Sequence, residues 1–401
     1  MSSCKKVIVS DLNWGNVGCQ IILRGSVDFL KSMFPNYELT FYVPSHYPSH
    51  DKSLFQDVEN IKIIPMIKWR RYVRGALKKT GLYRRLWIPR FDSKYFCEAD
   101  LFLSIGGDIY TMFSDKIPDD WVGYETYASK HQIPSIMLGA NMERFEVLPE
   151  SEKEFLVAHL KRFQALFVRD MKTKYYLSDN GIEDNVMFLP DPVFSFRQVT
   201  SFQGNNIKRI GLNFTPILIQ RYGSSILEKY CKIIMRLLDS GYEVYLIPHV
   251  ESLGGGPNIR DQSAIDKIIV KLPSHYSSRV KTYQGKTNLH EVSDFIDKVD
   301  MVLAARMHCS LNALTLGKPV IFLGYSLKSE AIVETLRTDT PFASVSEAFV
   351  SVGADKLDIE FISKFVSQYE TWKRRQTMPI TIDMSLFHSE IRSNANITLK
   401  D

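Results

Sequence analysis

The stretch DMVLAARMHCSLNALTLGKPVIFLGYSLK, Asp300 to Lys328, decides how this chain folds. Asp300 to Leu303 read as the end of a short buried strand, and Met307 to Leu316 as a helix. Gly317 sits where a helix stop is expected, and Pro319 lies just beyond it. Val320 to Leu323 read as the next strand. The stretch is therefore a βαβ unit, with Arg306 and His308 at its strand-to-helix turn. Ligands of open parallel sheets bind beyond the carboxyl ends of the strands. Helix N-termini there carry unpaired N–H groups and favour anions. Arg306 and His308 are thus placed to act as an anion clamp with an adjacent proton donor.

Outward from this unit, the pattern repeats in both directions. Toward the N-terminus, strands are predicted at Lys6–Ser10, Leu39–Val43, Ile61–Met66, Asp100–Ser104, Ser135–Leu138, Ala165–Val168 and Met187–Leu189. The first strand runs into Asp11 to Gly18, where Asn16 and Gly18 open a helix and allow a ligand close to the backbone. This loop is neither a GxGxxG nor a Walker sequence. A tight strand-to-helix connection explains it equally well. Gly106 and Gly107 end another strand and present Asp108, a carboxylate suited to accept a hydroxyl proton or to cap a helix. Arg169 follows the Ala165–Val168 strand, as an anion ligand or as the partner of a neighbouring carboxylate.

Pro190-Asp191-Pro192 and the polar run Gln203–Lys208 mark a boundary near residue 200. The pattern then restarts with strands at Arg209–Asn213, Glu243–Ile247 and Val280–Tyr283, and with helices at Ile226–Leu238 and Glu291–Lys298. The Glu243–Ile247 strand delivers His249, and a glycine-rich loop follows at Gly254–Pro257. Strand signal is lost beyond Arg337, and Phe361–Arg375 read as a late helix. The domains so predicted are 1–200, 201–345 and a C-terminal helix and tail at 346–401.

Composition narrows the function classes. The chain has 401 residues, too many for one ordinary core. Its net charge of +5 is modest for that length and does not point to nucleic acid. Five scattered cysteines, without paired spacing, argue for a reducing compartment and against a disulfide framework or zinc site. The nine histidines show no ligand spacing, so no metal is expected. No uncharged apolar run approaches the ~20 residues that span a bilayer. A cytoplasmic protein, peripheral to a membrane at most, is the expectation. The most biased segment, KWRRYVRGALKKTGLYRRLWIPR at Lys68–Arg90, holds nine Lys or Arg residues and no acid, interleaved with aromatics. It suits an anionic membrane surface, or a solvated helix whose apolar side packs on its domain.

Taken in order, these pieces resemble the polysaccharide pyruvyl transferase family from about Val7 to about Leu336. The strongest mark is Arg306-Met307-His308, followed by Asn312-Ala313-Leu314, Gly317-Lys318-Pro319 and Tyr325 through Lys328. Gly106-Gly107-Asp108, Val168-Arg169-Asp170, Pro190-Asp191-Pro192 and Ile247-Pro248-His249 support it. The first loop departs from the family's usual Asn-x-Gly-Asp, because Cys19 follows Gly18.

The resemblance implies an α/β fold of two Rossmann-like domains facing a cleft, similar to GT-B glycosyltransferases. It implies transfer of a pyruvyl group from phosphoenolpyruvate to a sugar in bacterial exopolysaccharide or cell-wall synthesis, with no cofactor. The acceptor would be a sugar or lipid-linked oligosaccharide; a lipid-linked one would suit the basic aromatic segment 68–90, whose composition makes it the candidate for peripheral membrane contact. Phosphoenolpyruvate carries a phosphate and a carboxylate, for which Arg306 and Arg169 are the expected cations, joined by Lys328 and His249. His308 is the expected acid for the methylene carbon, and Asp108 the expected base. Asn16, Gly18, Gly106 and Gly107 are the expected acceptor or loop contacts. A sugar-nucleotide glycosyltransferase on the same fold, or a membrane-docked scaffold, are the competing readings.

Overall fold

The computed structural model describes residues 4–80, 82–107, 109–197, 202, 206–251, 259–325, 332–336, 347–375, 384–395 and 397–400. The first sheet contains β1 (Cys4–Val9), β2 (Glu38–Ser45), β3 (Ile61–Pro65), β4 (Leu101–Ile105), β5 (Ser135–Ala140), β6 (Ala165–Val168) and β7 (Val186–Phe188). Their spatial order is β3-β2-β1-β4-β5-β6-β7, and every pairing is parallel. The second sheet contains β8 (Arg209–Asn213), β9 (Glu243–Leu246), β10 (Lys281–Thr282), β11 (Met301–Ala304), β12 (Val320–Gly324) and β13 (Phe349–Gly353). Its order is β10-β9-β8-β11-β12-β13, again parallel.

Each sheet starts at a central strand, winds outward to one edge, then returns to the other side of the start. The order reverses between β1 and β4 in one sheet and between β8 and β11 in the other. These are the topological switch points of two Rossmann-like units. The central strands read as continuous apolar runs because helices cover both faces of a parallel sheet. Leu101–Ile105 and Ala165–Val168 are buried along their full length, as is Met301–Ala304.

The chain divides into two compact units. One comprises Met1–Trp14, Ile22–Phe196 and Met384–Asp401, and the other Gly15–Ile21 and Arg197–Asp383. The C-terminal helix Ser385–Asn394 belongs to the first unit. There His388 places its ring nitrogens 3.1 Å from the hydroxyls of Ser32 and of Ser195.

One sequence expectation fails. The sequence pattern carries no strand signal beyond Arg337, yet β13 pairs with β12 from Phe349 to Gly353. Its sequence, FVSVG, is short, and only Phe349 is buried. An edge strand of this kind needs little apolar alternation and leaves a weak trace. The glycine-rich loop Gly254–Pro257, Asp108 and Lys328 lie outside the described residues.

Candidate active site

The second switch point gathers Arg306, His308, His249, Asn16 and Gly18, half of the expected site residues. Strand β11 ends at Ala304, and the helix Met307–Thr315 begins three residues later with Arg306 as its N-cap residue. No side chain caps this helix. The neighbouring strand β8 ends in Asn213, which is fully buried. Asn213 Oδ1 accepts the backbone N–H of Arg306 at 2.9 Å, and its amide donates to Ile247 O at 2.9 Å and to Asp261 Oδ2 at 3.2 Å. Asp261 opens the helix Asp261–Lys271 and is also fully buried. Its Oδ2 takes the backbone N–H groups of His249 and Val250, each at 3.1 Å. Its Oδ1 takes Arg306 Nε at 3.2 Å and Nη2 at 2.9 Å.

The Arg306 guanidinium is therefore half committed. Nη2 also donates to Ile259 O at 3.2 Å, whereas Nη1 has no partner among the described residues. The side chain is 16% exposed, so the guanidinium is not sealed from solvent. An anion there would meet a fixed guanidinium at an uncapped helix start, which is favourable on both counts.

His308 stands one residue inside that helix, against the first turn of the Val17–Met33 helix. A Cβ added to Gly18 would lie 2.9 Å from the Cβ, Cγ and Nδ1 of His308, so only glycine fits. Asn16 caps the Val17–Met33 helix, its Oδ1 accepting from Gly18 N at 2.9 Å and its carbonyl from Cys19 N at 2.9 Å. The loop is tied to the end of β9: Asn16 bridges Val250, Val17 N donates to His249 O at 3.1 Å, and Glu251 N to Gly15 O at 2.8 Å. Cys19, which follows Gly18, is half-buried, and burial pushes its thiol up to about 12. It is neutral at pH 7 and supplies none of the negative charge a carboxylate would.

His249 is 1% exposed, and its Nε2 has no partner among the described residues. Burial holds its pKa well below the ordinary histidine value, and the charges of His308 and Arg306 push the same way. Both effects favour its neutral form. Thr215, just past β8, and Ser310, in the first turn of the Met307–Thr315 helix, are fully buried with hydroxyls that have no partner among the described residues. Buried polar atoms left open in this way mark a place where a ligand or water is expected.

The first switch point is built differently. Gly106 has φ +150°, and a Cβ on Gly107 would lie 2.9 Å from Arg169 Nη2. Arg169 is buried, with Nε 2.8 Å from Asn141 Oδ1 and Nη1 2.7 Å from Asp191 Oδ2. Asn141 N donates to Gly107 O at 2.8 Å. Asp170 caps the Met171–Asp179 helix through Thr173 N and also takes the Asn141 amide. Arg169 thus underlies the glycine turn as part of a closed network. Tyr110, four residues past Gly106, holds φ +62°, with its hydroxyl donating to Trp121 O at 2.7 Å.

The sequence reading named Arg306, His308, His249 and the Asn16–Gly18 loop, all of which come together in the second unit. It missed Asn213 and Asp261. Asn213 carried a signal, a lone polar residue closing the strand RIGLN. Asp261 carried none, because its partners are twelve residues before it at His249 and far beyond it at Arg306.

Two Rossmann-like units, each a parallel sheet with its own switch point, define the class of GT-B-fold proteins, and solved structures agree. The chain superposes on a putative UDP-N-acetylglucosamine 2-epimerase from Listeria monocytogenes with TM-score 0.59 and 11% identity, covering 100% of this chain and 99% of that one. For the S. aureus MnaA–UDP co-structure the values are 0.58 and 14%, with 99% of each chain covered. For Anabaena HepE in complex with UDP they are 0.52 and 10%, with 97% of this chain and 98% of that one covered. At these identities the likeness establishes fold alone. No protein of curated function matches the sequence. The family model of polysaccharide pyruvyl transferases matches residues 16–326, and the chain belongs to that family. It is a transferase, and its family is defined by a pyruvyl donor and a glycan acceptor. Among the described residues no helix is long and apolar enough to cross a membrane.

Proposed function

We propose that this chain moves the pyruvyl group of phosphoenolpyruvate onto a sugar of an exopolysaccharide or cell-wall glycan, closing a ketal on two hydroxyls. The observation that carries the reading is the start of the Met307–Thr315 helix. There a guanidinium held by Asp261 keeps Nη1 open, beside a histidine packed on Gly18, in a chain of this family. The donor's anionic groups would lie on Arg306 Nη1 and the helix start. Lys328 is a further cation from the sequence reading. Asn213 and Asp261 act as positioning residues for Arg306.

The chemistry follows from the donor. A sugar hydroxyl adds to the phosphate-bearing carbon of the enol while His308 delivers a proton to the methylene carbon, making it a methyl group. Asp108 takes the hydroxyl proton. Loss of inorganic phosphate leaves an oxocarbenium carbon, which a second hydroxyl attacks, its proton leaving with phosphate or base. Two hydroxyl hydrogens are consumed, one into the methyl group and one into the released phosphate, so the ketal and inorganic phosphate balance. His249, neutral and buried, suits a hydrogen bond to an uncharged donor or acceptor oxygen. Arg169, sealed under the Gly106–Gly107 turn, is assigned to holding that turn and not to donor contact. The acceptor is a sugar or lipid-linked oligosaccharide, and the reaction is placed on the cytoplasmic side, where phosphoenolpyruvate is available.

The test is a thermal-shift titration with phosphoenolpyruvate and, in parallel, a panel of sugar nucleotides. A saturable rise with phosphoenolpyruvate alone is expected, weakened in Arg306→Lys. In His308→Gln the rise persists while turnover falls about 10²–10⁴-fold. A rise with a sugar nucleotide and none with phosphoenolpyruvate would replace this reading with glycosyl transfer.

A further inference from the structure

The basic segment at Lys68–Arg90 takes no part in either switch point, and the structure sorts its residues into two sets. Four of its nine cations are engaged by the first unit. Arg70 donates to Pro89 O and to Ser93 Oγ, and Arg74 is buried against Asp120. Arg84 pairs with Asp119 and Glu152, and Arg90 with Asp120. Tyr83 and Trp87 enter the core, and the Trp87 indole donates to Asp120 at 3.2 Å. This is the anchoring side, and its residues at positions 70, 74 and 77 share one face of the Arg70–Lys79 helix.

The other set faces solvent. Trp69 is 59% and Tyr72 78% exposed, and Val73, Leu82 and Leu86 are exposed too. Trp69, at the N-cap, and Tyr72, Val73 and Ala76 fall at helical spacing on a flank roughly 120° around the helix from the anchors. Lys68, Arg71, Lys78, Lys79 and Arg85 are exposed beside them without an ion pair among the described residues. A solvent-facing stripe of aromatic and aliphatic side chains bordered by unneutralised cations is costly to leave in water. It matches one kind of surface, an apolar layer beneath an anionic head-group plane.

We propose that the Trp69–Leu86 surface docks this protein on an anionic lipid bilayer, with Trp69 and Tyr72 inserted at the head-group boundary and the five cations that lack an ion pair among the described residues, Lys78 among them over the Tyr83 ring, facing the lipid charges. A purely polymeric anion would satisfy the cations but leave the apolar stripe uncovered. The proposal stands independently of the chemistry at Arg306 and His308, and its test contains no transfer step.

The test is co-sedimentation of the full chain with phosphatidylcholine vesicles, with and without phosphatidylglycerol, alongside tryptophan fluorescence. Of the five tryptophans, Trp14 and Trp87 are buried and Trp121 and Trp372 half-buried, so Trp69 is the reporter. Expected are binding to anionic vesicles only, weakening with salt, and a blue shift that Trp69→Phe abolishes while binding persists. Each cation contributes about fivefold, so Lys78→Glu/Lys79→Glu should lower the affinity roughly 25-fold or more. Trp69→Ser/Tyr72→Ser should lower it about tenfold. All four positions are exposed, and an unchanged melting temperature verifies folding. Equal binding to neutral vesicles, variants that bind like the parent, or binding to a soluble anionic polysaccharide without vesicle binding would each overturn the proposal.

Discussion

At the end of the first sheet Arg169 gives Nη1 to Asp191 and Nε to Asn141. At the end of the second, Arg306 gives Nε and Nη2 to Asp261 and its backbone N–H to Asn213. Both switch points thus combine an arginine, an asparagine and an aspartate, but the burial differs. The Arg169 side chain is 2% exposed and the Arg306 side chain 16%. A sealed guanidinium can only stiffen the turn above it, which here is Gly106–Gly107. A partly open one, fixed along one edge, is pre-organised for an anion on the other. The difference teaches that an arginine at a strand end is a ligand contact only when its neighbours leave donors unused.

The comparison makes its largest demand on stability. Arg169→Ala removes the guanidinium that lies 2.7 Å from the Asp191 carboxylate, which is 3% exposed. Removing one partner of such a buried pair should cost about 3–5 kcal/mol. Arg306→Ala leaves Asp261 with three N–H donors, from His249, Val250 and Asn213. It should cost about 1.5–3 kcal/mol, the worth of hydrogen bonds to a charged group. Equilibrium urea denaturation of the two variants measures the difference. Equal losses would mean that both arginines are structural and that the open Nη1 has no special standing.

The glycines sharpen the contrast. Gly18→Ala pushes a methyl group against the Cβ and ring of His308, and the Cβ is fixed by the helix backbone, so the contact is not relieved by turning the ring alone. Gly107→Ala pushes against the far end of Arg169, which Asn141 and Asp191 hold. Each should cost about 1–3 kcal/mol as an overpacked contact. Only Gly18→Ala displaces the proposed acid, and a shift of this size should lower kcat about 10²-fold. Steady-state kinetics on both variants separates them, and matching kcat losses would sink the assignment of catalysis to the second switch point.

What the sequence made legible follows from what is local. A strand ending in a glycine pair, or in Arg-x-His ahead of a helix, states its own position in a parallel sheet, so Gly106, Gly107, Arg306 and His308 could be placed without coordinates. Whether a charged side chain is spent or available depends on residues far along the chain, and no local pattern carries that. Arg169 and Arg306 read alike for this reason. The same limit hid Asp261. In the Lys68–Arg90 segment the run of cations was plain, but the split between Arg74, buried on Asp120, and Lys78 or Lys79, left in solvent, depends on tertiary packing.

The smallest effect compares two buried histidines, one in each unit. His159 in the first unit lies with Nδ1 2.9 Å from Glu125 Oε2 and Nε2 2.7 Å from the Tyr110 hydroxyl. Burial lowers its pKa, but the bond to Glu125 pulls the other way. His249 has no carboxylate bond to oppose burial, and the charges of His308 and Arg306 deepen the depression. In both cases the unfolded chain takes up a proton at a higher pH than the folded one does. Stability is therefore complete above the unfolded histidine value of about 6.5 and falls as pH drops through the window below it. The slope for each site is at most about 1.4 kcal/mol per pH unit. The window closes sooner for His159, because Glu125 keeps its folded value nearer the ordinary one. His249→Asn should flatten the acid limb of the unfolding free energy over a wider pH range than His159→Asn does. Urea denaturation repeated from about pH 7 to about pH 5 reads both slopes. An unchanged acid limb in His249→Asn would mean that this imidazole takes up its proton in the folded protein, and its role as a neutral hydrogen-bonding group would fall with it.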